Sequence, residues 1–183
     1  MKAGQDRTFI ALLRGVNVGG NNKLPMKELA AMFHAAGCVW AETYIQSGNV
    51  VFGSSGTSNA ELMVRIERML AASFDYEASV VVRSRRQMRA IVDGAPRGFG
   101  ADPDRYRSDV IFVKPPLTAK AACAPGPTKE GVDRAWAGTG VLYYERLTAR
   151  ATQSRLSAIV SMPLYRSVTI RNWNTTTKLL RLL

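Results

Sequence analysis

Histidine and cysteine are scarce in this sequence, which contains one histidine, His34, and two cysteines, Cys38 and Cys123. The cysteines lie far apart and form no Cys-x-x-Cys pair, the spacing expected of a zinc or redox site. Isolated cysteines in a cytosolic chain are commonly small buried side chains. His34 falls in a helical stretch without a recognisable motif. We therefore expect no disulfide, no structural metal and no cofactor.

Long hydrophobic runs are also missing. No stretch approaches the roughly 18 apolar residues of a transmembrane helix, and residues 1–7 are polar, unlike a secretory signal. We expect a soluble cytoplasmic protein without a membrane partner. The composition, 46% hydrophobic and 21% charged residues, is typical of globular domains with an ordinary core.

Acidic residues are absent after Glu145, where seven Arg or Lys occur without an Asp or Glu. The formal net charge of the chain is +11, and 18 of its 25 basic residues are Arg. A positive field raises the local concentration of anions and is one footprint of nucleic-acid binding. A GC-rich genome also enriches Arg, so the charge alone does not decide the function.

The order of secondary structure predicts an α+β fold. A buried strand at residues 9–13 is followed by a helix beginning at Pro25, a hairpin across residues 40–53, a helix with a capping box at 58–61 and a strand at 80–83. This β-α-β-β-α-β order is that of a ferredoxin-like lobe. We predict two such lobes, residues 1–84 and 85–183.

The second half is less regular, but it repeats parts of this order. Strands are expected at 109–113, 132–136, 141–145 and 168–170, and helices at 85–92, near 154–160 and after Asn172. The sequence itself shows no repeat.

Three polar segments are candidate binding sites. The first is a loop rich in Gly and Asn between the first strand and the first helix. Glycines let backbone amides approach an anion closely, and the helix start adds a positive dipole. The loop matches neither the P-loop nor the dinucleotide pattern, so a simple connection with unusual backbone angles is an equal alternative. Its candidate residues are Arg14, Gly15, Asn17, Gly19, Gly20 and Lys23.

The second segment is the tip of the first hairpin, with the candidates Gln46, Ser47 and Asn49. Ser47 lacks the Gly-x-Ser-x-Gly pattern of a nucleophile elbow and has no histidine motif to activate it. A tight turn stabilised by its own side chains is therefore favoured over catalysis.

The third segment lies at the start of the last helix, with the candidates Arg171, Asn172, Asn174 and Lys178. Asn172 is a good N-cap, and the amides of the first turn are donors without intrahelical partners. Trp173 is better explained as a core residue than as a stacking surface. For Arg171 and Asn174, anion binding and a capped structural helix are both open.

These segments resemble the bacterial domain-of-unknown-function family 1697. The likeness lies in residues 11–20 (ALLRGVNVGG), 43–52 (TYIQSGNVVF) and 171–175 (RNWNT), and it extends over nearly the whole chain. The resemblance implies two ferredoxin-like lobes and no established reaction. Residues 154–157 (SRLS) are similar to a Ser-Lys-Leu-Thr stretch of the family, with Arg155 in place of its lysine. A role that requires that lysine amine is therefore not expected of this chain.

The residues support three functions. The first is a non-catalytic binder of phosphate-bearing polyanions such as nucleic acid, acting through a surface on which the three segments meet. The second is an enzyme or sensor for a small anionic metabolite or nucleotide. The third is a protein interaction module. The RRM consensus is absent, and no acid/base pair stands out in the segments, so neither specific RNA recognition nor a reaction is predicted. The oligomeric state is not predicted.

Overall fold

Two four-stranded antiparallel sheets and their helices form the structure, a computed structural model that describes residues 7–14, 24–46, 48–73, 79–123 and 128–183. The α+β class expected from the sequence is confirmed. The chain divides into two compact units, Met1–Met88 with Leu179–Leu183, and Arg89–Lys178. The lobe boundary expected between residues 84 and 85 stays a prediction.

The first unit contains the first sheet, in which the strands lie in the order β2-β3-β1-β4. The β-α-β-β-α-β order of elements predicted for it is found. A further helix, α3, follows β4 directly. The elements are β1 Arg7–Arg14, α1 Met26–Ala35, β2 Trp40–Tyr44, β3 Asn49–Ser54, α2 Asn59–Ser73, β4 Ser79–Ser84 and α3 Arg85–Asp93, of which the residues from Arg89 onwards are assigned to the second unit.

Alternate side chains of β1 build the core of this unit. Phe9, Ala11 and Leu13 point to the face covered by α1 and α2, where they join Phe33 and Ile66 in one buried cluster. Phe9 also stacks on Phe52 of the neighbouring strand, with ring centroids 5.7 Å apart. The predicted capping box forms, since Ser58 N donates to Glu61 Oε2 over 2.9 Å and Glu61 N donates to Ser58 Oγ over 3.2 Å. Sequence patterning and local capping thus position these elements.

The second sheet belongs to the second unit, and its strands lie in the order β6-β7-β5-β8. The elements are β5 Tyr106–Val113, α4 Ala119–Cys123, β6 Asp133–Gly138, β7 Val141–Leu147, β8 Val168–Asn172 and α5 Trp173–Leu182. The last residues of α5 are assigned to the first unit. The strands predicted in this half are all present, with ends that differ by a few residues.

The helix expected near residues 154–160 does not form as one α-helix. The chain instead makes three short 3-10 helices, Thr148–Gln153, Leu156–Ser161 and Pro163–Ser167. Leu156 and Ile159 are the buried residues of the second of these. Their separation of three residues matches the 3.0-residue turn of a 3-10 helix, and Pro163 prevents a longer α-helix from continuing.

The two sheets share one pairing pattern, so the chain contains an internal structural repeat that the sequence does not show. Ile10 of β1 pairs with Arg83 of β4, and Val110 of β5 pairs with Arg171 of β8. In each unit a helix then begins within two residues of that arginine, α3 at Arg85 and α5 at Trp173. The register makes Asp109 of β5 the counterpart of Phe9 of β1.

A tight approach of the chain to Trp173 makes Gly100 sensitive to substitution. Gly100 has φ +70°, and a Cβ at this position would collide with the indole ring of Trp173. Gly98 has φ +81° but open space around its Cα. We expect Gly98→Ala to lower the free energy of unfolding by about 1–2 kcal/mol through backbone strain alone.

Gly100→Ala should cost about 1–3 kcal/mol more than that, because it adds a steric clash. Urea denaturation of the two variants and the wild type measures both losses. Equal losses for the two substitutions would contradict the placement of Trp173 against Gly100.

Candidate ligand pocket

Part of the predicted binding surface lies outside the described residues. Gly15, Asn17, Gly19, Gly20, Lys23 and Ser47 belong to this part. The neighbouring described residues meet at one end of the first sheet: Leu13 N donates to Gly48 O over 2.8 Å, and Leu12 pairs with Asn49. Arg14 ends β1 at this place, and Gln46 is exposed. Asn49 is fully buried and donates from Nδ2 to Tyr44 O over 3.1 Å, which closes the hairpin.

Arg171, in the third segment, is 9% exposed, and its guanidinium donates hydrogen bonds to residues of its own strand. Its Nη1 donates to Ile170 O over 2.8 Å and to Thr169 Oγ1 over 2.9 Å. Burial lowers the pKa of Arg171 to about 10. The convergence of all three segments stays a prediction, because Arg14 and Asn49 lie in the first unit and Arg171 in the second.

Arg83 repeats this arrangement in the first unit. It is buried, it donates from Nη1 to Val82 O over 3.0 Å, and burial lowers its pKa to about 10. A guanidinium that recurs at equivalent positions of two sheets is explained by the fold, without a ligand.

Asn172, Trp173 and Asn174 of the third segment border a pocket of about 320 Å³ within the second unit. This volume lies at the lower end of the range of small-molecule sites, about 300–1,000 Å³. The other lining residues come from the loop before β5, from β5 itself and from β7. They are Gly100, Pro103, Tyr106, Arg107, Ser108, Asp109 and Arg146.

The pocket opens where β8 ends. The pairing of β5 with β8 runs only from Asp109 with Asn172 to Val113 with Val168, whereas the pairing with β7 begins at Tyr106. The first three residues of β5 therefore pair with β7 but lie beyond the end of the pairing with β8. Asn172 then caps α5, accepting a hydrogen bond at Oδ1 from Thr175 N over 2.7 Å. The first turn of α5, with its amides and its positive dipole end, stands beside this exposed edge.

Buried Glu145 holds the loop that forms the other wall. Its Oε1 accepts from Gly100 N over 3.1 Å and from Ser108 Oγ over 2.9 Å, and its Oε2 accepts from Arg134 Nη2 over 2.7 Å. The guanidinium of Arg134 in turn covers the Tyr106 ring, 4.2 Å from its centroid. One carboxylate thus links the loop, β5 and β6 and keeps the wall in place.

Trp173 is half-buried, and its ring packs edge-on against Phe99 with centroids 5.1 Å apart. Phe99 makes similar edge contacts with Tyr143 and Trp136. The expected structural role of Trp173 agrees with these contacts, although part of its side chain also lines the pocket.

Asp109 is the acidic side chain among the lining residues, and it is 8% exposed. Its Oδ2 makes no hydrogen bond, and Arg146 Nη2 lies 3.3 Å away. Burial raises the pKa of Asp109, and the charges of Arg146 and Arg107 oppose that shift without cancelling it. A carboxylate that is buried with few hydrogen bonds lowers the stability of the protein.

Asp133, on the same face of the sheet, is also buried, but its carboxylate accepts main-chain hydrogen bonds. Its Oδ2 accepts from Lys129 N over 2.9 Å and from Arg155 N over 3.0 Å. Burial acts to raise the pKa of Asp133, but hydrogen bonds from the Arg155 amide, the Ser154 hydroxyl and the Lys129 amide outweigh it and lower the pKa. Asp133 therefore stabilises the chain around the SRLS stretch, while Asp109 does not stabilise its own surroundings.

The sequence prediction did not include Arg107, Asp109 and Arg146 in the site. One feature of the sequence pointed to Asp109: it begins a run of apolar strand residues, a place where a carboxylate is unusual. The meeting of β5 with the start of α5 depends on strand order, which local patterns do not contain.

Among the described residues, no three His, Cys, Asp or Glu side chains are grouped as metal ligands would be. In the same residues, no helix has the length and hydrophobicity needed to cross a membrane. Both cysteines are free thiols; Cys38 is buried and Cys123 is partly exposed.

The two buried aspartates should respond oppositely to replacement by asparagine. The folded-state pKa of Asp109 is raised, so its ionisation costs stability above that pKa, and Asp109→Asn should raise the free energy of unfolding at pH 7. The folded-state pKa of Asp133 is lowered, so its charge stabilises the fold at pH 7, and Asp133→Asn should lower that free energy.

Both differences should vanish as the pH falls below the ordinary Asp pKa of about 3.9 and through the lowered pKa of Asp133. Urea denaturation at several pH values measures this. If Asp109→Asn proved as destabilising as Asp133→Asn, the ion pair with Arg146 would be a stabilising part of the fold.

Comparison with known proteins shows the family of this chain. A conserved bacterial protein of Streptococcus pneumoniae has a similar structure, with a TM-score of 0.82 and 26% sequence identity, covering 97% of this chain and 98% of the other. No curated protein matches the chain. The model of the family described as "Protein of unknown function (DUF1697)" matches residues 7–143, and the resemblance seen in the sequence is thereby confirmed. The chain belongs to the DUF1697 family.

Proposed function

We propose that the pocket beside α5 binds a small anionic ligand that carries a phosphate group. The observation that supports this most is the presence of two arginines, Arg107 and Arg146, among the lining residues next to the first turn of α5. Arginine offers a planar set of donors that suits phosphate, and a helix start adds main-chain donors of the same polarity.

The charge of the pocket favours an anion over a cation. Arg107 and Arg146 outnumber Asp109 among the charged lining side chains, so these groups have a net charge of +1. The positive end of the α5 dipole adds to this field. Arg107 is exposed and available to a ligand, whereas Arg146 is half-buried and held beside Asp109.

Binding is proposed here without a reaction. Besides the two arginines, the titratable lining side chains are Asp109 and Tyr106. Two such groups do not define an acid/base pair, for which geometry against a substrate would be needed.

A second candidate is the binding of nucleic acid or another polyanion, which was expected from the charge of the chain. The net charge of +11 favours it, since counterion release drives such binding. Binding of a polyanion requires a broad basic surface, whereas binding of a small anion requires only the few residues of the pocket.

We also propose the finer structural predictions made from the sequence. These are ferredoxin-like topology for each lobe, a division of the lobes between residues 84 and 85, and a cytoplasmic location. The sheet orders β2-β3-β1-β4 and β6-β7-β5-β8, with the helical crossovers between strands, support the topology.

Arg107→Gln tests the pocket, and Arg150→Gln is a matched control. Both arginines are exposed and lie in the second unit, both changes remove one positive charge, and Arg150 does not line the pocket. Isothermal titration with nucleoside monophosphates and with inorganic phosphate should show binding to the wild type and to Arg150→Gln. Arg107→Gln should bind roughly ten- to a hundred-fold more weakly, because a charge-assisted hydrogen bond to phosphate is lost.

Anisotropy titrations with labelled DNA and RNA at several salt concentrations distinguish the second candidate. Polyanion binding through general charge would weaken about equally in both variants, and the affinity would fall steeply with salt. If neither variant differs from the wild type towards small anions, the pocket is not the anion site.

A further inference from the structure

The internal repeat shows that the fold does not require an acid at position 109. Phe9 occupies the equivalent position in the first sheet, where it stacks on Phe52 inside the core. The counterpart of Phe52 in the second sheet is Tyr144, because Phe9 pairs with Phe52 and Asp109 pairs with Tyr144. The same place in the same strand arrangement therefore accepts a large apolar side chain.

Asp109 carries an energetic cost that an apolar residue at this position would not have. It is 8% exposed, its Oδ2 makes no hydrogen bond, and burial raises its pKa. Asp109 is nevertheless among the residues that line the pocket. An acidic side chain that lowers the stability of its own fold is best explained by a contact with a ligand.

We propose that Asp109 accepts hydrogen bonds from uncharged N–H groups of the ligand, and that the ligand is a guanine nucleotide. This inference rests on the proposed function, because Arg107 and the start of α5 supply the contacts to the phosphate.

The charges around Asp109 decide against an amine as its partner. Arg146 lies 3.3 Å from Oδ2, and both Arg146 and Arg107 act on the charge of Asp109. A third cation would be repelled by these two arginines. Neutral N–H donors, such as those of a nucleobase, avoid that repulsion and still bind a carboxylate strongly.

Among the common bases, guanine has the edge that best fits a carboxylate. Its N1–H and N2 amino groups are adjacent donors, so no acceptor faces the negative charge of Asp109. Adenine, cytosine and uracil each place an acceptor next to the donor on that edge, and a carboxylate repels an acceptor. The pocket volume of about 320 Å³ suits one nucleotide better than an oligonucleotide.

Titration calorimetry with GMP, IMP and AMP tests this on the full-length protein, with Asp109→Asn and Arg107→Gln alongside. The wild type should bind GMP best, bind IMP roughly ten-fold more weakly because the amino group is missing, and bind AMP more weakly still. Asp109→Asn should weaken GMP binding by roughly ten- to a hundred-fold and leave AMP binding unchanged or improved, since Asn both donates and accepts.

The outcomes separate the two proposals. If all three nucleotides bind equally to the wild type and to Asp109→Asn, while Arg107→Gln abolishes binding, the phosphate pocket stands and the role of Asp109 is wrong. If neither the nucleotides nor inorganic phosphate bind the wild type, the proposed function is wrong and the guanine inference falls with it. The circular dichroism spectrum and a cooperative unfolding transition show whether Asp109→Asn is folded. With both retained, loss of GMP binding supports the contact of Asp109 with the base.

Discussion

The pairing of Asp109 with Asn172 across β5 and β8 determines the site. It fixes where β8 stops, and hence where α5 begins relative to the edge of β5. A shift of this register by one residue would turn Asp109 to the other face of the sheet and remove it from the pocket. The arginines, the asparagine cap and the acid are brought together by the main-chain pairing of β5 with β7 and β8, and within this arrangement Arg146 contacts Asp109.

One chain uses the same strand arrangement twice and gives the two copies different interiors. In the first unit, the end of the central strands is an aromatic core of Phe9 and Phe52. In the second unit the equivalent positions are Asp109 and Tyr144, and the nearby Asp133 accepts two main-chain hydrogen bonds at Oδ2. The same strand arrangement accommodates either interior. A pocket with charged lining residues in one copy therefore does not require a change of fold.

The large positive charge is not a single surface property. Arg83 and Arg171 are buried and bonded to backbone carbonyls of their own strands, and Arg134 is paired with Glu145. Such arginines add to the net charge while acting as parts of the structure. Composition thus overstates the basic area that is available to a partner.

Local features of the sequence determined much of the fold. The continuous apolar run of β1, the Ser58–Glu61 capping box and the cap at Asn172 all form as predicted, because each depends on residues a few positions apart. The third polar segment was found for the same reason, since a cap and its helix are neighbours in the chain.

The pocket and the internal repeat depend on tertiary structure alone. Arg107, Asp109 and Arg146 meet Asn174 only because β5 lies between β7 and β8, a pairing of segments that are far apart in the chain. The internal repeat is equally invisible in the residues, since Phe9 and Asp109 become equivalent only through the registers of two separate sheets. Local patterns specify which elements form, whereas the order of strands depends on long-range packing that a single sequence does not display.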